Sequence, residues 1–147
     1  MSVTKVPAAL RKAVRDRAQG CCEYCLIHED DVYRAHEADH TIAGQHGGAT
    51  TSENLAFACF DCNRRKGPNL SSVDPETRAV VRIFHPRTQG WQEHFRLAGY
   101  RIIPLSPIGR ATVKVLDLNG PTRLRIRGAL VLLGRYPVRE GEGDDYE

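Results

Sequence analysis

Two cysteine pairs, Cys22-Glu-Tyr-Cys25 and Cys59-Phe-Asp-Cys62, enclose Asp39-His40, and the second runs directly into Asn63. Thiolates suit a tetrahedral zinc ion, and a two-residue spacer lets both sulfurs of a pair reach the same metal. Four sulfurs close the coordination shell, so an ion held this way is structural. A redox dithiol or unligated buried thiols are the other uses of such residues, and finding two pairs in one chain weighs against both. Cys21 is the fifth cysteine. It could replace Cys22 as a ligand, but the spacing favours Cys22 and leaves Cys21 as a small buried residue.

The enclosed residues carry a second kind of chemistry. A neutral imidazole, with a pKa near ~6.5, can take a proton from water at physiological pH. A carboxylate and an amide carbonyl are the oxygen donors a hard divalent ion prefers. Phosphodiester hydrolysis needs an activated water, a stabilised developing charge and a helped leaving group, and these residue types supply the parts. Neighbours on a regular strand point to opposite faces, so Asp39 and His40 can converge only at a bend or a strand end. Taken singly, Asp39-His40 is a surface pair, Asn54 a turn cap and Asn63 a surface polar residue. Glu37 either supports a metal shell or ends a strand, and His46 reads as solvated.

Taken together, the residues form a pattern. Glu37-Ala-Asp39-His40, Gly47-Gly48, Asn54-Leu55 and Cys59-Phe-Asp-Cys62-Asn63-Arg-Arg-Lys66-Gly67 resemble, in order and spacing, the HNH endonucleases, also called ββα-metal nucleases. The resemblance covers roughly residues 8–70. It implies His40 as general base, Asp39 and Asn63 as holders of a catalytic divalent ion, and Asn54 as the middle residue that braces the loop and fixes the histidine. Many members have His at the last position. The Asn63 variant also occurs, including in the HNH domain of RNA-guided CRISPR nucleases, and it favours magnesium or manganese. The family often has Pro three residues after the histidine, where Ala43 stands here. Arg64, Arg65 and Lys66 follow Asn63 and are expected to grip the phosphate backbone, although helical spacing keeps all three from meeting one phosphate.

The positioning elements can be sketched from punctuation and periodicity. Residues 7–20 read as a helix opened by Pro and closed by Gly, with Leu10, Val14 and Ala18 as its apolar stripe. Residues 21–25 read as a tight turn, 36–42 as a short strand, 43–51 as a Gly-rich loop and 59–67 as a short helix stopped by Gly67-Pro68. In the second half, Asp74-Pro75 reads as a helix start. Residues 100–105 and 111–116 read as a β-hairpin around Ser-Pro-Ile-Gly. The run from Pro121 to Leu133 reads as a helix. Phe84, Trp91 and Phe95 read as a hydrophobic patch packing this half onto the first. The sharper alternative is a DNA-facing surface of Arg87, Trp91 and His94.

The expected fold is α+β: a zinc-stapled ββα core in residues 1–70, with an N-terminal helix, and an extension in 71–139 built from a β-hairpin plus a helix. Residues 140–147 carry five acids and no base, so the rest of the chain is at net charge +8, and 17 of the 21 basic residues are arginine. An arginine-rich body suits a polyanion. Charge alone would fit a solvated basic surface equally well; DNA is the partner the resemblance implies, with no membrane and no small-molecule substrate expected, and oligomeric state is not legible. The hydrophobic (41%) and charged (27%) fractions are ordinary for a soluble globular protein, and no apolar run approaches the length of a membrane-spanning helix. With no signal-peptide pattern, a cytoplasmic location is expected. The rival reading is a zinc-stabilised nucleic-acid-binding module that does not cleave. A zinc domain that binds protein leaves the arginine excess unexplained.

Overall fold

The structure, a computed structural model, describes residues 5–138, so the acidic segment 140–147 lies outside it. Helix α1 (Ala8–Arg17) starts after Pro7 and gives way to Gln19 and Gly20 at φ 56° and 77°. Gly20 has no substitute here: a Cβ would stand 2.5 Å from Nε2 of His28. The apolar stripe works as its spacing predicts, with Val14 and Ala18 buried against Leu55 and Phe57 and Leu10 partly so.

Strands β1 (Glu37–His40) and β2 (Leu55–Ala58) pair antiparallel, with His40 opposite Leu55 and Glu37 opposite Ala58. β1 is shorter than expected and ends at His40, where a bend or strand end was expected. β2 is buried along its whole length, the mark of a strand covered on both sides. Helix α2 (Phe60–Lys66) lies against β1. Its N-cap is Cys59, whose sulfur accepts from the Cys62 amide, and Gly67 at φ 51° ends it.

The second half departs from expectation in two places. Asp74 starts no helix. It closes the turn of a hairpin, β3 (Ser71–Val73) with β4 (Val80–Arg82), where its carboxylate accepts from the Glu76 amide and the Thr77 hydroxyl. This is the short-range side-chain-to-backbone bond that lets Asp serve turns and caps alike. Residues 111–116 are not the second strand of a hairpin either. They lie in helix α4 (Pro107–Val115) and its cap, and β6 (Arg101–Pro104) pairs backwards with β5 (Phe95–Ala98) across Gly99 at φ 64°. Ser-Pro-Ile-Gly is a helix start, not a turn: the Ser106 hydroxyl accepts from the Gly109 amide and Pro107 occupies the first helical position. A single turn, α3 (Trp91–His94), precedes β5, and α5 (Pro121–Leu132) follows α4 as the expected helix. The whole is a mixed α+β arrangement of small hairpins and short helices. None of the helices among the described residues is long and apolar enough to cross a membrane.

The aromatic residues pack rather than face solvent. Phe84, Trp91 and Phe95 are buried in a core that also holds Cys22, Cys25, Cys59 and Cys62. The DNA-facing alternative is corrected here. The Trp91 indole donates 2.9 Å to the Tyr24 carbonyl, Arg87 pairs with Glu23, and His94 shares a hydrogen bond of 2.7 Å with the Ser106 hydroxyl.

Candidate metal centre and active site

The turn after α1 and the start of α2 bring the four cysteines together. All four sulfurs lie within 4.8 Å of one another, buried, and none is in a disulfide. Zinc–sulfur bonds of about 2.3 Å arranged as a tetrahedron require sulfurs about 3.8 Å apart; the sulfurs of Cys25 and Cys59 are 3.7 Å apart. Backbone amides already serve the leading sulfur of each pair. The amides of Tyr24 and Cys25 donate to Cys22, and that of Cys62 donates to Cys59, each at 3.4 Å. The residues therefore fit a zinc ion in both spacing and second-layer hydrogen bonding. The cluster takes in Cys22 and Cys25 but not Cys21, which is buried beside the turn and forms a backbone β-bridge with His28.

The turn is fastened to the sheet. Glu23 exchanges bonds with Phe57: its amide donates to the Phe57 carbonyl and its carboxylate accepts from the Phe57 amide, both at 2.8 Å. The second half fastens it too, through the Trp91 indole on the Tyr24 carbonyl and the Tyr136 hydroxyl on the Cys25 carbonyl at 2.7 Å. Neither Trp91 nor Tyr136 carries a motif, so no sequence pattern singles them out for this work.

Beside the cysteines, β1 and α2 gather the other candidate residues. Glu37 and Asp39 alternate onto one strand face, and α2 supplies a partner to each. The Asn63 amide donates to Glu37, and the Lys66 ammonium stands 3.2 Å from Asp39. Asp39 also accepts from the buried Tyr24 hydroxyl at 3.2 Å. Burial pushes the Asp39 carboxyl up to about 6, with Lys66 and the Tyr24 bond pulling the other way. The Asn63 side-chain nitrogen faces Glu37 across the join of α2 and β1.

His40 closes the strand. Its Nε2 shares a hydrogen bond of 2.9 Å with the Thr50 hydroxyl. Partial burial, and secondarily the charge on Lys66, hold the imidazole below its usual value, so it is neutral at neutral pH. Asn54 spans the loop that follows. Its carbonyl oxygen accepts from the Thr41 hydroxyl (2.7 Å) and the Ile42 amide (2.9 Å), and its nitrogen donates to the carbonyls of Ile42 (2.9 Å) and Ala49 (2.8 Å). That clamp requires Gly48, where a Cβ would sit 1.7 Å from the Ile42 carbonyl oxygen.

The basic trio does not act as one. Lys66 is buried, bonded to the His40 carbonyl at 3.0 Å as well as to Asp39, which corrects its expected role as a phosphate contact. Its position three residues after Asn63 turns it inward along α2. Arg64 and Arg65 are exposed: Arg64 stacks 5.1 Å over the Phe60 ring, and Arg65 stands 3.6 Å from Asp117.

Residues 22–69, about a third of the chain, match the family model of the HNH endonucleases. No curated protein and no solved structure matches the chain. The matched segment starts at the first cysteine of the four-sulfur cluster and ends just past α2, so the chain carries an HNH endonuclease domain with a four-cysteine centre, from a family of phosphodiester hydrolases.

Proposed function

We propose that this chain is a metal-dependent endonuclease that hydrolyses DNA phosphodiester bonds, with His40 as the general base. The observation that carries the reading is the join of β1 and α2. There Glu37, Asp39 and Asn63 come from two facing elements, and His40 sits at the strand end next to them. A desolvated carboxylate, an amide carbonyl and a second carboxylate nearby form an all-oxygen donor set that suits magnesium or manganese.

Asp39 and Asn63 would hold that ion. When bound, it would supply positive charge for a non-bridging phosphate oxygen and the departing 3′ oxygen. The chain's own residues do the rest. Thr50 holds Nε2 of His40, which leaves Nδ1 to take the proton of the attacking water. Asn54 ties residues 41–49 together, and so fixes the backbone from which the imidazole projects and the loop that carries Thr50. Arg64 and Arg65, at the surface of the same helix as Asn63, position the DNA backbone without reading sequence. The products are a 5′-phosphate and a 3′-hydroxyl.

The test is nicking of supercoiled plasmid by the zinc-loaded protein, with magnesium, with manganese and with neither, alongside His40→Ala. Ion-dependent nicking that the substitution abolishes, with zinc content unchanged, supports the reading. DNA binding without cleavage under every condition would leave the zinc-stabilised binding module in its place.

A further inference from the structure

Helix α5 is packed against its own hydrophobicity. It buries Arg123, Arg127 and Leu130, at i, i+4 and i+7, while Ile126 is partly exposed and Leu132 is 89% exposed. The hydrophobic effect alone would place the apolar side chains inside. A guanidinium is taken out of water only where a specific partner compensates it. For Arg127 the partners are the Tyr100 carbonyl and the Asn119 amide oxygen. For Arg123 they are the Leu116 carbonyl at 2.6 Å and sulfur: its Nη2 lies 2.9 Å from Sγ of Cys62 and 3.7 Å from Sγ of Cys59.

We propose that Arg123 is the counter-ion and outer hydrogen-bond donor of the four-cysteine zinc centre, so that the helix beyond the HNH domain sets how tightly that domain holds its metal. Two arguments meet here. Zinc with four thiolates carries a net charge of −2, and in a buried setting that charge needs compensation. The guanidinium supplies one positive charge in direct contact. The second argument concerns which sulfur it serves. In a two-residue turn the backbone amides reach the leading sulfur, as they do for Cys22 and Cys59, and the trailing sulfur gets little. Cys62 is a trailing sulfur, and Arg123 gives it the donor its own turn does not.

Outer-layer donors of this kind change metal affinity about 10–100-fold when removed. The inference does not depend on cleavage, so it stands or falls apart from the nuclease reading.

The experiment uses the full chain with Arg123→Met, which keeps the bulk of the stem, Arg123→Lys, which keeps the charge, and Arg127→Met as the control for losing a buried arginine from the same helix. Zinc affinity is read by competition with a chromophoric chelator, and thiolate bonding by the sulfur-to-metal charge-transfer bands of the cobalt(II)-substituted protein. The expectation is about 10–100-fold weaker zinc binding in Arg123→Met and an intermediate loss in Arg123→Lys. Removing a donor from a thiolate raises its electrons in energy, so the cobalt bands move to longer wavelength in Arg123→Met and stay in place in Arg127→Met. Zinc affinity within twofold of the parent with unmoved bands in Arg123→Met overturns the proposal, as does an equal band shift in Arg127→Met. Should Arg123→Met not fold, Arg123→Lys decides: a band shift supports the proposal, and unmoved bands overturn it.

Discussion

The Lys66 ammonium sits 3.2 Å from the Asp39 carboxylate and 3.0 Å from the His40 carbonyl, closed off from solvent between α2 and the end of β1. One cation thus ties together the two adjacent residues to which the site's chemistry is assigned. Lys66 does for the protein alone part of what a divalent ion would do for Asp39. Replacing it with Met leaves a buried carboxylate that keeps the Tyr24 hydroxyl as its hydrogen-bond donor among the described residues. Breaking a buried pair by removing one member costs about 3–5 kcal/mol. Lys66→Met is therefore expected to lower the urea midpoint at pH 8, and millimolar manganese should restore part of the loss. An unchanged midpoint would mean that the pair contributes nothing.

Both proton-binding groups of the site titrate on the acid side of neutrality. His40 is held below its usual ~6.5 by burial and by the Lys66 charge. Asp39 is pushed up to about 6 by burial. The base must be unprotonated to act, and the carboxylate must be unprotonated to hold a cation. Nicking rate is therefore expected to be flat above pH 7 and to fall below about 6.5, becoming steeper once both groups take up protons. His40→Ala should lose about 10²–10⁴-fold in rate. It should still bind manganese with an affinity that weakens below about pH 6, because that limb belongs to Asp39. A variant that keeps the parent rate, or a manganese affinity indifferent to pH, contradicts the respective assignment.

The Asn54 clamp stabilises the loop after β1 independently of any catalytic ion. Its side chain spends every donor and acceptor on Thr41, Ile42 and Ala49. Asn54→Ala leaves several partly buried backbone groups unpaired, at about 1–3 kcal/mol for each one that water cannot reach. A clear drop in melting temperature with full zinc content is the expected result. Unchanged stability would show that the loop reorganises at little cost.

The four-cysteine cluster was legible because its parts are fixed by spacing. A CxxC turn has few geometries, so Cys22, Cys25, Cys59 and Cys62 could be paired from sequence, and the cluster forms as expected. A bend or strand end near His40 was expected from the alternation of side chains, and β1 does end at His40. Lys66 departs from expectation because helical spacing says that residues 64–66 face different ways but not which of them turns inward; its partners, Asp39 and the His40 carbonyl, are set by the tertiary fold. The 100–116 region failed for a related reason. Apolar β-branched residues such as Val113 and Val115 favour strands only until a cap intervenes, and Ser106-Pro107 is such a cap. Arg123 was out of reach altogether, since an alternating Arg/Leu/Ile run names no partner, and its sulfur contacts cross 61 residues of chain.

The cysteines sit in one core with Tyr24, Trp91 and Phe95, and side chains of both halves end on their turns. Four thiolates within 4.8 Å of one another would repel without a cation; hydrogen bonds among the sulfurs push Cys59 well up and hold Cys25 well down, and burial pushes Cys62 well up. Stripping zinc with a strong chelator is therefore expected to loosen both halves in one transition. The disturbance should reach Trp91, whose indole bond to Tyr24 depends on the first turn, and its fluorescence should report the loss. Structural zinc binding is worth about 10–16 kcal/mol in small domains, so Cys59→Ser should leave little folded protein. A Cys59→Ser protein that melts like the parent, or an indole signal that ignores the chelator, would show that the hydrophobic core holds without the metal.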